Sequence, residues 1–314
     1  MARMFGFCII LFSAMVMIAC GGGGGGSSPG NPPQTATATI NPGNAPAIAA
    51  AVLDASDESQ FFGDLGGLAA PAGASTGTVT VGGAPVEEVT IGPEMENCAV
   101  AGTSMFSAEI ADPQTLSNGD SLSFTFMQCD EGDGVVLDGG FDFLVNLFNG
   151  DVFNDTFTLD VGVTLFDLMV TEGGETNTLD GDMNLLLDTS DTLETTITID
   201  GDSLSLVSGL ETATLSDYAM TISVDPVSGS SSFSISGFLS ASDFTGTVEF
   251  SSNASLAVDS LGTPSSGVIV ITGADGATIT VRIFSAQQIQ LDVDSNGDGE
   301  VDDVIMTSWS ELQT

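Results

Sequence analysis

Between positions 292 and 303 the chain reads Asp292-Val293-Asp294-Ser295-Asn296-Gly297-Asp298-Gly299-Glu300-Val301-Asp302-Asp303. Oxygen-bearing side chains recur at alternate positions, and glycines let the segment turn. A hard divalent cation takes about six to eight oxygen ligands, which such a segment can supply from one short stretch. Asp292, Asp294, Asn296, Asp298, Glu300, Asp302 and Asp303 are therefore the candidate metal ligands, and Ca2+ is the candidate ion, in a structural role. The alternative is a solvated acidic turn.

This stretch resembles the calcium loops of EF-hands, dockerins and thrombospondin type 3 repeats, and the resemblance covers these residues only. Two registers fit parts of it. Starting at Asp292 places Asp303 at the last ligand position and Gly299 where a hydrophobic residue is usual. Starting at Asp294 places Gly299 at the glycine position and Val301 at the hydrophobic one, and leaves Ile305 at the last ligand position. The flanks have the alternation of strands, so a calcium-bound hairpin or strand-end loop is expected rather than a helix pair. Such a loop would neutralise local charge and dock Trp309 at the end of the sheet, adding stability by mass action.

Other acidic groups are weaker candidates. Asp130-Glu131-Gly132-Asp133 reads as a solvated turn, and Glu87-Glu88 and Glu94-Met95-Glu96 carry less still. The chain has no histidine, and its two cations leave no lysine: Arg3 and Arg282 account for both. Ser-His-Asp, Cys-His, Ser-Lys and Schiff-base arrangements are thereby excluded. No glycine-rich phosphate loop lies between a strand and a helix, and sugar-stacking aromatics are scarce, with one Trp and one Tyr. No enzymatic activity is expected.

The N-terminus sets the compartment. Met1-Ala2-Arg3 is a short positive region, followed by an apolar run from Met4 to Ala19 of signal-peptide length. The run ends in Met17-Ile18-Ala19-Cys20, which resembles a bacterial lipobox. That resemblance implies cleavage before Cys20, a diacylglycerol on its thiol, and a membrane as partner through the anchor. Glycine rather than aspartate after the cysteine implies sorting to the outer membrane. Once residues 1–19 are removed, Cys98 and Cys129 are the remaining thiols, in an oxidising compartment. A disulfide is the expected state. Two buried thiols or a metal site are the alternatives, the latter without a histidine to help.

Arg282 is then the only cation against 43 acidic residues. Such a polyanion is repelled by nucleic acid and by anionic surfaces, which excludes partners bound through basic patches. It is tolerated where salt or divalent ions screen it. With 42% hydrophobic residues and 19 phenylalanines the chain nonetheless has the means to fold.

Residues 20–45, rich in Gly, Pro and Ser, read as a flexible tether behind the lipidated cysteine. A helix is expected over 46–66, with Asn44 as cap, Pro46 early, Ala50, Ala51, Val52 and Ala55 on the apolar side, and Gly63 as stop. From 78 to 314 the period is two. Leu122, Phe124 and Phe126, then Phe141, Phe143 and Val145, then Phe157, Leu159, Val161 and Val163 each alternate with other residues. So do Met220, Ile222 and Val224, and Ile279, Val281 and Ile283. Asn118-Gly119, Asp180-Gly181 and Asp200-Gly201 sit between such runs and are expected as hairpin turns. The fold class is all-β: an antiparallel meander curled into a half-barrel, a barrel or a sandwich, with one N-terminal helix after the tether.

In outline this is similar to the half-barrel lipid carriers of the bacterial envelope. The expected role is that of a membrane-anchored extracytoplasmic lipoprotein with a calcium-stabilised β domain, structural or interacting with an envelope or surface protein. The alternative is an envelope carrier of a lipid or other apolar ligand in a half-barrel cavity.

Overall fold

The computed structural model describes residues 34–53, 89–111, 117–132, 134–151, 156–191, 194–225, 230–258, 264–285 and 287–312. The expected signal segment, Cys20, most of the expected tether, the expected helix beyond residue 53, and residues 78–88 lie outside the described residues.

Strands account for nearly all of it. In chain order they are β1 (Val89–Asn97), β2 (Ala101–Ile110), β3 (Ser121–Asp130), β4 (Val135–Asp151) and β5 (Thr156–Glu172). Then come β6 (Glu175–Asp188), β7 (Thr195–Ser208), β8 (Glu211–Val224), β9 (Ser231–Ala241) and β10 (Val248–Val258). The set closes with β11 (Pro264–Thr272), β12 (Thr278–Ser285), β13 (Gln288–Asp294) and β14 (Asp303–Thr307). Helix α1 occupies 45–53 and α2 spans Trp309–Leu312. The strands form one 14-stranded sheet in strict sequence order, each antiparallel to the next. Short connections leave a meander no other arrangement.

Alternation decides the faces. One inner row runs Phe106, Phe124, Phe141, Leu165, Gly181, Leu204, Leu215, Leu239, Val248, one residue per strand from β2 to β10. An outer row runs Glu109, Ser121, Leu144, Gly162, Asn184, Asp200, Ala219, Ser236 from β2 to β9. It continues through Ser251, Val270, Thr280, Asp292 and Val304 to β14. Apolar residues thus face one way and mainly Ser, Thr, Asp and Asn the other.

The inner face cannot be buried by a flat sheet. Strands β5 to β13 would spread over about 38 Å at the usual spacing, whereas the described part of α1 is about 14 Å long. Yet Leu165 on β5 and Val293 on β13 are both buried, in one core with the fully buried Ile48, Ala49 and Val52 of α1. The sheet therefore curls around the helix, and one core joins α1 to β5–β13, while Phe143, Val145, Phe157, Leu159, Val161 and Leu187 form a second cluster on β4–β6. Among the described residues β1 and β14 do not pair, so the outcome is an open, half-barrel-like sheet rather than a closed barrel or two separate sheets.

A turn over residues 42–44 leads into helix α1, with the Ala45 amide donating to the Asn41 carbonyl at 3.0 Å, so the capping contacts lie one turn ahead of the helix. Asn41 Oδ1 accepts from the Asn44 amide at 3.2 Å while Asn44 Oδ1 accepts from the Asn41 amide at 2.9 Å. This reciprocal box makes Asn41 the cap and puts Pro42 in that turn, so Asn44 supports the cap without being it.

Two expected turns are not turns. Asn118-Gly119 does lie in the β2–β3 connection, but Asp180-Gly181 and Asp200-Gly201 lie inside β6 and β7. The β5–β6 turn is at Gly173-Gly174 and the β7–β8 turn at Gly209-Leu210. The misplaced glycines belong to a line of irregularities across the sheet, with register shifts at Asp138/Gly140, Leu165/Leu168, Gly181/Asn184 and Ser216/Ala219. Bulges bend strands and raise twist, and this line gives the sheet its curl. Asp-Gly satisfies a bulge as well as a turn, because both want a residue without Cβ. At Gly181, φ is +138° and a Cβ would lie 2.2 Å from the Ser203 carbonyl oxygen.

Candidate metal loop and the acidic face

The loop joining β13 to β14 is organised around Asp294. This side chain is 6% exposed at the end of β13. Its Oδ1 accepts the amides of Gly297 at 2.7 Å and Asn296 at 3.2 Å, and its Oδ2 accepts that of Gly299 at 2.8 Å. Burial pushes the Asp294 pKa up, but the backbone amides of Gly299, Gly297, Asn296 and Asp298 outweigh it, so the carboxyl is held below its usual range. Two further turns of the same kind follow. Asn296 Oδ1 accepts the Asp298 amide at 2.9 Å and Asp298 Oδ1 accepts the Glu300 amide at 2.9 Å.

Asp302 closes the loop from the other side. Its Oδ2 accepts from the Ser295 amide at 2.9 Å and from the Ser295 hydroxyl at 2.5 Å, while its own amide donates to the Val293 carbonyl at 2.8 Å. The Asn296 amide group approaches the same carboxylate at 3.4 Å. The loop is also seated on the β11–β12 connection: a Cβ on Gly297 would stand 2.4 Å from the Asp275 carbonyl oxygen, so only glycine fits.

The structure thus gathers Asp294, Asn296 and Asp302, with Asp298 and Glu300 exposed on the rim. It treats Asp292 and Asp303 differently. Both oxygens of Asp292 are engaged on the sheet, Oδ2 by Arg282 Nε at 2.7 Å and Oδ1 by Gln290 Nε2 at 2.5 Å. Asp303 begins β14, and its Oδ1 accepts the Val304 amide at 2.8 Å. Of the two registers, the ring of amides around a first aspartate corresponds to the one beginning at Asp294. Among the described residues no three loop carboxylates bring oxygens within 4.8 Å of one another. The donor set is all oxygen, with one carboxylate already fixed and anionic, and that suits a hard ion such as Ca2+. Trp309, at the start of α2, packs partly buried against the main core.

Cys98 and Cys129 are joined, with Cα atoms 5.5 Å apart. Glu131 lies beside them, its Oε2 accepting the Ala99 amide at 3.2 Å, and Asp130 Oδ1 accepts the Gly132 amide at 2.8 Å. The carboxylates of this turn serve its backbone. Asp133 and the pair Glu87-Glu88 lie outside the described residues, and Glu94 and Glu96 lie on edge strand β1.

A second acidic group was not legible as a site. On the outer face, Asn146 Nδ2 donates to Asp160 Oδ1 at 3.0 Å, and the Asn184 amide lies 2.9 Å from Asp160 and 3.2 Å from Asn146. Asp200 stands opposite Asn184 on β7. Burial, then the charges of Asp160, Asp202 and Asp182, push the Asp200 pKa up. Tyr218 donates to the Asp182 carbonyl at 2.9 Å, and its hydroxyl pKa is raised by burial and then by Asp182 and Asp200. Strand register alone unites these residues. The Asp-Gly-Asp repeats at 180–182 and 200–202 were the available signal, once read as bulges.

On the inner face of β2–β4, Phe106, Phe124, Phe126 and Phe141 are only half-buried, whereas Phe143 is buried. Phe106 and Phe124 have ring centroids 5.0 Å apart, Phe124 and Phe141 4.9 Å, and Phe126 and Phe141 6.2 Å. On the opposite face an open groove of about 670 Å³ is floored by Ser107, Ser121, Ser123 and Gly162, with Glu109 and Asp142 along it.

No helix among the described residues is long and apolar enough to cross a membrane. Comparison of the chain with family models, with curated proteins and with solved structures gives no match.

Proposed function

We propose that this chain is a lipoprotein of the bacterial cell envelope, tied to the outer membrane by lipid on Cys20, with a β domain that one Ca2+ stabilises. Its role is structural or interactive rather than catalytic. The observation that carries the calcium part is the Asp294 carboxylate, fixed by backbone amides inside an oxygen-only loop that joins the last two strands. An ion there would screen Asp298, Glu300 and Asp302 and tie β14 to β13. At a free concentration a hundred times its dissociation constant, such an ion adds about 2.7 kcal/mol to stability. The lipid anchor is supported by the lipobox-like end of the leader and by the glycine-rich stretch behind Cys20.

The test is thermal melting with millimolar calcium and with chelator. Wild type melts higher with calcium, and Asp294→Ala combined with Asp298→Ala loses the difference. An unchanged difference in the double variant removes the assignment. For the anchor, incorporation of labelled palmitate that persists in Cys20→Ser would exclude lipidation there.

A second reading rests on the half-buried ladder of Phe106, Phe124, Phe126 and Phe141. It is an apolar face to which a lipid chain could be applied, and a carrier would use it. Native mass spectrometry of protein made in an envelope-producing host separates the two readings: a co-purifying lipid mass favours the carrier, and bare protein with one calcium favours the structural role.

A further inference from the structure

The two edges of the sheet are built differently. Edge strand β1 is interrupted by a bulge between Ile91 and Glu94 that contains Pro93, and it carries Glu94 and Glu96. Proline, a bulge and charge are the devices by which natural sheets keep an edge from pairing. β14 has neither proline nor bulge. It pairs with β13 in unbroken register from Ile289↔Thr307 to Val293↔Asp303, and among the described residues no strand lies on its other side. Val304 and Met306 on its outer face are 51% and 53% exposed, and Val301 just before it is 54% exposed. Around this apolar strip lie Asp298, Glu300, Asp302 and Asp303 at one end and Glu311 at the other. The nearest cation in sequence, Arg282, is already paired with Asp292.

We propose that the edge of β14, unpaired among the described residues, is a docking site for an extended segment of a partner polypeptide, one that alternates apolar residues with lysine or arginine and adds itself to the sheet as a further strand. Backbone hydrogen bonds supply the attachment, Val304 and Met306 meet the segment's apolar side chains, and Asp303 and Glu311, which lie outside the proposed ion site, meet its cations. A second copy of this chain is the wrong occupant, because each copy carries a net charge of −41 and would bring its own acids against these. The proposal rests on the interaction role given above and names its surface and partner chemistry.

The experiment measures fluorescence anisotropy of the full chain, in detergent, calcium and physiological salt, with a labelled ten-residue peptide of alternating valine and lysine. A matched peptide N-methylated at alternate residues keeps the side chains and charge but cannot pair along one edge. The unmodified peptide is expected to bind at least tenfold tighter than the methylated one, and Met306→Pro is expected to abolish that difference. Equal affinity of the two peptides overturns the proposal, since charge alone would then explain binding. So does a preference unchanged in Met306→Pro, or sedimentation showing that the chain pairs with itself. The calcium-dependent melting shift is read on the same samples: its loss removes the calcium-stabilised domain, whereas its persistence without peptide discrimination removes only the edge site.

Discussion

Arg282 Nε stands 2.7 Å from Asp292 Oδ2 across the β12–β13 ladder, joining the only cation beyond residue 3 to the first acid of the candidate loop. Asp292 is 8% exposed, and burial alone would raise its pKa. The hydrogen bonds from Arg282 and Gln290 and the charge of Arg282 more than offset that, so the carboxyl titrates below its usual range. Every other acid of the loop lacks such a side-chain counter-charge, so any cation that neutralises them would come from solution.

Arg282→Gln therefore destabilises the domain by about 1 kcal/mol at neutral pH, a value kept small because the guanidinium is half-exposed. The sign with pH follows from the lowered pKa. The contribution is complete above the unfolded-state value near 4 and is lost as pH falls through the folded-state value. Urea melts of both proteins should differ at about pH 7 and by less at about pH 2. A gap that is the same at both values would mean that the ion pair is not its source.

The division of labour between Asp292 and Asp294 is open to a direct comparison. Asp294→Asn should abolish the calcium-dependent rise in melting temperature, because it removes the buried carboxylate around which Gly297 and Gly299 are arranged. Asp292→Asn should lower stability at every calcium concentration and leave the rise intact. Calcium titration by calorimetry checks both, and the reverse pattern would move the loop's first ligand to Asp292.

Period-two alternation made the all-β meander legible, because strands with one apolar face leave little else to infer. Phe141-Phe143-Val145 and Ile279-Val281-Ile283 lie on the inner face as their spacing required. The closure state was not legible: whether β1 meets β14 depends on the accumulated bend of the strands, and the residues that set the bend, such as Gly181 and Asp217 with φ +46°, look locally like turn residues. In the candidate metal loop, the oxygen-bearing residue types were legible but their geometry was not. Asp292 has the right type and spacing, and only its cross-strand neighbour Arg282, ten residues earlier, reveals that it belongs to the sheet. The cluster of Asn146, Asp160, Asn184 and Asp200 is assembled entirely by register.

If Gly181 is a bulge rather than a turn, substitution there should be costly. Gly181→Ala drives a Cβ into the Ser203 carbonyl at positive φ, and a loss of about 2–3 kcal/mol is expected. Gly173→Ala, in the β5–β6 turn with φ +61° and nothing within 4 Å of its Cβ, should cost only about 1 kcal/mol for the left-handed backbone. Equal losses in denaturant titration would argue against the bulge.

The bond between Cys98 and Cys129 closes a loop with a sequence separation of 31. In the chain-entropy model that is worth about 3–4 kcal/mol, through the unfolded state. Reduction, or replacement of both cysteines by serine, should lower the urea midpoint accordingly without abolishing the calcium response, since the disulfide links the β1–β2 connection to the end of β3, far along the sheet from β13. Loss of the calcium response on reduction would show that the two ends of the sheet are coupled.

Asp200 provides the opposite pH behaviour to Asp292. Its pKa is raised by burial first and by Asp160, Asp202 and Asp182 next, so the folded state binds its proton more tightly than the unfolded chain does. Stability then falls as pH rises through the window between the unfolded value near 4 and the raised folded value, and the penalty persists at neutrality. Asp200→Asn removes the charge while keeping a polar group that can donate to the surrounding carboxylates. The variant should melt higher than wild type at about pH 7 and equally at about pH 3. Asp243→Asn, an exposed acid in the β9–β10 connection, controls for the change in net charge alone. A gain at neutral pH in the control as large as in Asp200→Asn would assign the effect to overall charge rather than to the crowded carboxylates of β5, β6 and β7.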